Sequence, residues 1–289
     1  MEIKKVSVLG AGVMGHGIAQ VAATTGFDVI FRDIEQKFLD RGVENIRKSL
    51  ERFVKKEKLT EAQTEETLKR ITTTTDLKEA AGNADVVIEA APEILELKKE
   101  IFKELDEFCP PHTILATNTS QFSVTAIASA TKRRDKVIGT HWFNPPVMMK
   151  LIEVVRGLDT SDETVEIILD MAKKFGKETV VCLKDTPGFI TTRLISLWAN
   201  EAQRILEEGI ATMEDIDKAC RLAFGHPMGP FETNDYTGLD TTLYVREALA
   251  KVYGERYAPR NMLRNLVNAG YLGRKTGRGF YIYDKSKKI

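Results

Sequence analysis

A glycine-rich turn near the N-terminus is the feature that most limits which fold this chain can adopt. Residues 6–9 form a short apolar run, and Gly10, Gly12 and Gly15 follow it directly. Apolar side chains then recur at helical spacing, and a second apolar run ends on Asp33. Asp33 follows Gly10 by 23 residues, close to the roughly 20 residues typical of a strand–turn–helix–strand unit that ends on an acid. This order predicts a pair of parallel strands joined by a helix.

Each glycine of this turn has a physical purpose. Gly10 permits a tight turn, Gly12 lets the backbone approach a pyrophosphate, and Gly15 lets the helix pack closely on the strand. The helix N-terminus offers N–H groups and positive potential to phosphates. A glycine-rich turn that binds nothing is the alternative, but the complete context favours a dinucleotide site. Its predicted loop comprises Gly10, Ala11, Gly12, Val13, Met14 and Gly15.

The acid at the end of the second strand predicts which dinucleotide binds. Asp33 would accept hydrogen bonds from ribose hydroxyls, and its charge would repel a 2′-phosphate, which favours NAD over NADP. The adjacent Arg32 is the opposing signal, because a nearby arginine can accommodate that phosphate.

Strands and helices alternate through the first two thirds of the chain. Helices are predicted over about 35–56, 92–108, 123–129 and 162–175. A further helix is predicted to begin near Thr60, because Thr60 and Gln63 are spaced as a capping box. Further strands are predicted over 85–90, 113–118, 137–143, 151–155 and 179–183. The pattern predicts an α/β fold: a Rossmann-type, mainly parallel sheet over residues 1–186 with a helical hairpin insertion near 41–70. A smaller all-helical domain over 187–289, with an irregular glycine-rich tail, should follow.

Composition excludes several classes of protein. The chain has 42 Lys and Arg against 42 Asp and Glu, so no global charge attracts nucleic acid or an anionic membrane. No apolar run reaches the roughly 18 residues of a membrane helix, and the N-terminal apolar stretch is too short for a signal peptide. The cysteines, Cys109, Cys182 and Cys220, form no CxxC pair, and the histidines have no metal-ligand spacing. We therefore expect a cytoplasmic protein without a metal, a nucleic-acid partner or a membrane anchor.

A nicotinamide enzyme that oxidises an alcohol needs a base for the hydroxyl proton, and histidine suits that task near neutral pH. His141 has the best setting, because it lies at the carboxyl end of a predicted strand, where such sheets bind ligands. A hydrogen-bonded structural histidine is the alternative that its position alone leaves open.

The residues around His141 resemble a known signature. The segment His-Trp-Phe-Asn-Pro-Pro over 141–146 and Lys-Leu-Ile-Glu-Val-Val over 150–155 are similar to L-3-hydroxyacyl-CoA dehydrogenases. The resemblance includes Asn118-Thr119-Ser120, Asp185-Thr186-Pro187-Gly188-Phe189, Pro227-Met228-Gly229-Pro230 and the tail over 273–281. It covers almost the whole chain and is strongest to short, single-function members that act on 3-hydroxybutyryl-CoA.

The resemblance implies the reaction and the residues that carry it. The reaction is NAD-dependent oxidation of (S)-3-hydroxyacyl-CoA to 3-oxoacyl-CoA and its reverse, in fatty acid or butanoate metabolism. His141 is then the acid–base residue, Glu153 orients it, and Ser120 hydrogen-bonds the reacting oxygen. Further cofactor contacts are implied at Glu93, Lys98, Ser120, Asn144 and Lys275. The helical domain is implied to pair two subunits into a homodimer, with the acyl-CoA in the cleft between domains.

A basic segment suggests where coenzyme A binds. Residues 41–58 contain seven Lys and Arg against three Glu. By itself such a run predicts a solvated helix face. The family match instead implies CoA contacts at Ser49 and Lys56, which lie two helical turns apart and so share a face.

The chain departs from the family at one position. Thr192 stands where the family usually has an Asn that helps to position substrate, and a hydroxyl lacks the two amide donors. Asn234 stands where the family usually has an apolar residue, and we hypothesise that it partly takes over the role of the missing Asn.

Two alternative functions stay open at this point: a dehydrogenase of a hydroxy acid without CoA, and a non-catalytic, crystallin-like NAD-binding protein.

Overall fold

The computed structural model describes residues 2–283. The chain divides between Thr186 and Pro187 into two compact units. The predicted domains also include Met1 and residues 284–289, which lie outside the described residues. No helix in the described range combines the length and the apolar character needed to cross a bilayer.

The first unit is built on one eight-stranded sheet. Its strands are β1 Lys5–Leu9, β2 Asp28–Arg32, β3 Ile71–Thr74, β4 Val86–Glu89, β5 Ile114–Thr117, β6 Val137–Trp142, β7 Leu151–Arg156 and β8 Glu178–Cys182. Their spatial order is β3-β2-β1-β4-β5-β6-β7-β8. The strands β1 to β6 pair in parallel, β7 runs antiparallel to β6, and β8 is parallel to β7. The mainly parallel sheet is therefore confirmed, and β3 is a strand that the sequence did not predict.

Seven α-helices accompany this sheet in the described part of the first unit: α1 Val13–Thr24, α2 Gln36–Lys55, α3 Glu61–Lys69, α4 Leu77–Ala81, α5 Leu95–Phe108, α6 Val124–Ala128 and α7 Asp162–Lys174. The predicted capping box is present, since Thr60 N donates to Gln63 Oε1 at 2.9 Å and Gln63 N to Thr60 Oγ1 at 3.2 Å. α5 begins three residues later than predicted, because Ile94 is extended and serves as its N-cap.

The central strands are apolar on both faces because helices cover both sides of the sheet. Every residue of β4, β5 and β6 is buried. These strands therefore show no polar–apolar alternation, and the few polar residues within them stand out as candidates for a site. Glu89, Thr117 and His141 are such residues.

The second unit is helical, as predicted. It contains α8 Thr191–Glu207, α9 Met213–Phe224, α10 Pro230–Thr237, α11 Leu239–Tyr253 and α12 Asn261–Asn268, with single 3₁₀ turns at Glu255–Tyr257 and Arg274–Thr276. Cys220 is buried here, and Cys109 and Cys182 are buried in the first unit.

The tail after α12 is held to the helices by two buried carboxylates. Asp235 accepts hydrogen bonds from Phe280 N and Tyr281 N, each at 2.9 Å. Asp217 accepts from the Tyr281 hydroxyl at 2.9 Å. A Cβ at Gly279 would lie 2.0 Å from Asp235 Oδ1, so glycine is required for this approach. The tail is irregular, as expected, yet it completes the packing of α9 and α10.

Candidate active site

Polar side chains of the first unit gather at one edge of the sheet. In the pairing register, Leu9 lies opposite Glu89, and Glu89 lies opposite Thr117. These residues are the last of β1, β4 and β5, and β1 is where the strand order reverses direction. Ligands bind at such a switch point, outside the carboxyl ends of parallel strands.

The glycine-rich loop has the shape that a dinucleotide requires. Gly10 has a φ of 99°, and a Cβ at Gly15 would lie 1.6 Å from Gly10 O, so larger residues are excluded at both positions. A Cβ at Gly12 would meet no heavy atom of residues 2–283 within 4 Å. Gly12 is also the N-cap of α1 and has no side chain to occupy the first N–H groups. The start of α1 is therefore open to a pyrophosphate, and these residues fit NAD.

Asp33 is fixed beside this loop. Its Oδ2 accepts from Ala11 N at 2.5 Å and its Oδ1 accepts from Ile34 N at 2.7 Å. The neighbouring Arg32 donates from Nε to Thr75 O at 3.3 Å. The carboxylate thus has a defined place next to the loop, and the guanidinium is directed towards the segment after β3.

His141 and Glu153 lie directly opposite each other on β6 and β7. His141 Nδ1 is 2.6 Å from Glu153 Oε2, and Glu153 is fully buried. Because a carboxylate only accepts, Nδ1 carries the proton and a neutral ring has its basic lone pair on Nε2. The reversed direction of β7 brings this carboxylate to the edge where β6 ends.

Asn118 supports the same strand end and was not predicted as a site residue. Its Oδ1 accepts from Trp142 N at 3.0 Å, which joins the end of β5 to the residue after His141. The His141 ring also lies 4.6 Å, between centroids, from Phe143. The sequence signal for Asn118 was a polar side chain at the carboxyl end of the predicted strand over 113–118.

Ser120 is held by the predicted cofactor residue Glu93. The Glu93 Oε1 atom accepts from Ser120 N at 2.8 Å, Ser120 Oγ at 3.3 Å and Thr119 Oγ1 at 2.7 Å. The loop before α5 and the loop after β5 are therefore joined through one carboxylate oxygen.

Lys98, predicted to contact the cofactor, is a buried residue of α5. It is 1% exposed, and its Nζ lies 2.7 Å from Glu89 Oε1 and 3.1 Å from Glu93 Oε2. Glu89, which sequence reasoning missed, is fully buried and also accepts from Thr117 Oγ1 at 2.7 Å. The sequence signal that could have identified Glu89 is a charged residue near the end of an otherwise apolar strand.

The remaining predicted contacts belong to other segments of the chain. Asn144 is exposed in the loop after β6. Ser49 is half-buried on α2 and Lys56, its C-cap, is exposed. In the second unit, Lys275 Nζ lies 2.6 Å from Asp240 Oδ2.

The two residues of the family departure also belong to the second unit. Thr192 is half-buried in the first turn of α8. Asn234 is 5% exposed on α10, and its Nδ2 has no hydrogen-bond partner among the described residues. Within residues 2–283, no three His, Cys, Asp or Glu side chains form a group that could hold a metal ion.

Comparisons with known proteins assign this chain to a family. The 3-hydroxyacyl-CoA dehydrogenase NAD binding domain matches residues 5–186, and the C-terminal domain of the same family matches residues 188–283. The chain belongs to the 3-hydroxyacyl-CoA dehydrogenase family. It is an oxidoreductase with an NAD-binding domain, and the resemblance noted in the sequence is confirmed.

Individual relatives of this 3-hydroxyacyl-CoA dehydrogenase family member match nearly its whole length. The chain is 46% identical to a probable 3-hydroxybutyryl-CoA dehydrogenase of Bacillus subtilis, covering 99% of both chains. It is 45% identical to the mitochondrial hydroxyacyl-coenzyme A dehydrogenase of Rattus norvegicus, over 97% of this chain and 91% of that one. A crystal structure of (S)-3-hydroxybutyryl-CoA dehydrogenase from Ralstonia eutropha aligns with a TM-score of 0.94 at 43% identity. The alignment covers 98% of this chain and 100% of that one.

Proposed function

We propose that this protein oxidises short-chain (S)-3-hydroxyacyl-CoA esters, with 3-hydroxybutanoyl-CoA and acetoacetyl-CoA as the preferred pair. The observation that carries the proposal is the His141–Glu153 contact of 2.6 Å at the sheet edge. Relatives named 3-hydroxybutyryl-CoA dehydrogenase support the short acyl chain.

The pair has the chemistry that proton transfer needs. Glu153 orients the ring and stabilises the cation that forms when Nε2 takes the proton of the C3 hydroxyl. In the reverse direction the same atom returns the proton to the ketone oxygen. Ser120 donates its one hydroxyl proton to this oxygen when substrate is bound, in place of the 3.3 Å contact to Glu93 Oε1. Glu93 still fixes Ser120 by accepting from its amide at 2.8 Å.

The open glycine loop and Asp33 would hold NAD, which would supply the hydride acceptor for oxidation at C3 and the hydride donor for reduction. Asp33 disfavours a 2′-phosphate by its charge. Asn144, Lys98 and Lys275 remain proposed cofactor contacts; for Lys98, burial favours a contact made through Glu93.

Coenzyme A is proposed to lie along the basic face of α2. The buried side of this helix carries Leu39, Ile46 and Leu50. Ser49 and Lys56 lie on the more exposed side, among six further Lys and Arg that are also exposed: Arg41, Arg47, Lys48, Arg52, Lys55 and Lys58. Several cations on one accessible face suit an anionic ligand.

The second unit is proposed to contribute substrate contacts and the dimer interface. Thr192 and Asn234 are its proposed substrate residues. Large apolar side chains are exposed on its helices, including Leu194 (66%), Leu222 (76%) and Phe224 (66%). Apolar surface of this kind is typical of a subunit interface, which supports a homodimer that sedimentation analysis can test.

NADH absorbance with three substrates tests the activity. The purified protein should oxidise NADH with acetoacetyl-CoA, more slowly with a longer 3-oxoacyl-CoA, and not with free acetoacetate. Turnover with free acetoacetate would favour the hydroxy acid alternative. NADH binding without any turnover would favour the non-catalytic alternative. Either result would refute the proposal.

A variant separates catalysis from cofactor binding. The His141→Gln protein should lose turnover by at least about 100-fold, since general acid–base catalysis contributes that much or more. Its NADH affinity, measured by fluorescence, should stay unchanged. Retained turnover would exclude His141 as the base.

A further inference from the structure

A buried chain of alternating charges leads from the interior of the first unit to Ser120. Glu89 and Lys98 are 0% and 1% exposed, whereas the Glu93 side chain is 30% exposed. Lys98 Nζ lies 2.7 Å from Glu89 Oε1 and 3.1 Å from Glu93 Oε2. The order is therefore carboxylate, ammonium, carboxylate, and then the serine.

Glu89 is anchored independently of Lys98. Its Oε1 also accepts from Ala91 N at 2.7 Å, and its Oε2 accepts from Thr117 Oγ1 at 2.7 Å. These contacts fix the carboxylate between the ends of β4 and β5. A buried ammonium group is costly unless it is paired and hydrogen-bonded, and the fixed Glu89 carboxylate supplies that pair.

The two oxygens of Glu93 have different partners. Oε2 faces Lys98, and Oε1 accepts from Thr119 Oγ1, Ser120 N and Ser120 Oγ. The ammonium therefore fixes the rotation of the Glu93 carboxylate, and the other oxygen then fixes the serine. Without the ammonium, a side chain that is partly exposed could turn towards water and release Ser120.

We propose that Glu89 and Lys98 are positioning residues, which hold Glu93 and through it orient Ser120 for the reacting oxygen. The predicted effect on turnover rests on the proposed function, whereas the predicted effect on the position of Ser120 does not. A misplacement of about 1 Å can cost roughly 100-fold in rate, so a remote buried pair can control turnover.

The test removes both charges together. The double variant Glu89→Gln/Lys98→Met leaves no unpaired buried charge, which separates positioning from general destabilisation. Lys99→Met is the matched control, because Lys99 is the next residue of α5 and pairs at the surface with Glu96, which is 75% exposed. Two readouts are needed: kcat and KM with acetoacetyl-CoA, and hydrogen–deuterium exchange at the Ser120 amide.

The double variant should show a kcat that is about 10- to 100-fold lower. The KM for acetoacetyl-CoA should change little, and the Ser120 amide should exchange at least about tenfold faster, because its acceptor is no longer held. Lys99→Met should match the parent in both readouts. A purely structural role predicts instead that a folded double variant keeps the parental kcat and exchange.

Each other outcome decides the question. Unchanged exchange at Ser120 overturns the proposal even if kcat falls, and faster exchange with parental kcat overturns its catalytic part. If the double variant does not fold, Glu89→Gln alone undergoes both measurements, since it keeps Lys98 but weakens its anchor. If the parent itself does not reduce acetoacetyl-CoA, the proposed function fails, while the exchange result still decides the positioning.

Discussion

Replacement of Glu153 by glutamine measures what the buried carboxylate contributes to turnover. The substitution keeps the size of the side chain and removes its charge. The His141 Nδ1 to Glu153 Oε2 distance is 2.6 Å and the carboxylate is fully buried, so water does not screen this contact. The amide of Glu153→Gln could also present its NH₂ group to Nδ1, which would place the ring proton on Nε2, the wrong atom for a base.

The expected loss follows from the strength of this hydrogen bond. A hydrogen bond to a charged group contributes about 1.5–3 kcal/mol. At about 1.4 kcal/mol for each tenfold change, the Glu153→Gln enzyme should be about 10- to 150-fold slower. Both kcat and kcat/KM should fall by this factor, because the cation that Glu153 stabilises forms only in the transition state.

The assay is the steady-state reduction of NAD by 3-hydroxybutanoyl-CoA, the direction in which His141 takes the proton, together with NADH affinity by fluorescence. Glu178→Gln, an exposed residue of the adjacent strand β8, is the control and should match the parent. A kcat/KM within about threefold of the parent, less than 1 kcal/mol, would refute the reasoning. An equal loss in Glu178→Gln would show instead that replacing any carboxylate in this part of the sheet lowers turnover, so that the loss would not be specific to the Glu153 contact.

Three further predictions address cofactor choice, pH dependence and the thiols. Asp33→Ala should raise kcat/KM for NADPH relative to NADH, because the charge that repels a 2′-phosphate is lost; unchanged discrimination would exclude that role. Burial raises the pKa of Asp235 above its ordinary 3.8. The folded state therefore binds this proton more strongly than the unfolded state, so Asp235 favours folding increasingly as pH falls through the raised pKa towards 3.8. Urea unfolding of the parent and of Asp235→Asn should thus show a stability difference that grows in favour of the parent on acidification, and a shrinking difference would contradict it. Burial raises the pKa of Cys109 to about 11, and Cys182 and Cys220 are also buried, so a thiol reagent at pH near 8 should label the native protein only after unfolding.

The features that the sequence predicted well are those with a local physical cause. Gly10 and Gly15 are required by close backbone approaches, and the Thr60 cap depends on a partner three residues away. The strand β3 was missed because Ile71–Thr74 has only one buried residue and lies at the sheet edge, so its pairing with β2 leaves no apolar pattern.

The unpredicted part of the site depends on distant neighbours. Lys98 lies four and seven residues before Phe102 and Leu105, so helical spacing places it on the buried face of α5. The spacing does not give its partner, because Glu89 ends the strand β4 and pairs with Lys98 only in the folded sheet. The Glu153 contact likewise needs the antiparallel turn of β7, and was identified from the family signature rather than from periodicity.

The anchoring of the tail by Asp217 and Asp235 has a consequence for the order of events during synthesis. Asp217 already has donors on the neighbouring helix, because it accepts from Phe231 N and Glu232 N of α10. Asp235 instead accepts from Phe280 N, Tyr281 N and the Tyr283 hydroxyl, which leave the ribosome tens of residues after α10. Until then the Asp235 carboxylate must remain hydrated, because burial without these donors is costly. The surroundings of Asp235 thus stay open to water until residues 280–283 are translated, whereas the sheet of the first unit has all its strands by Cys182.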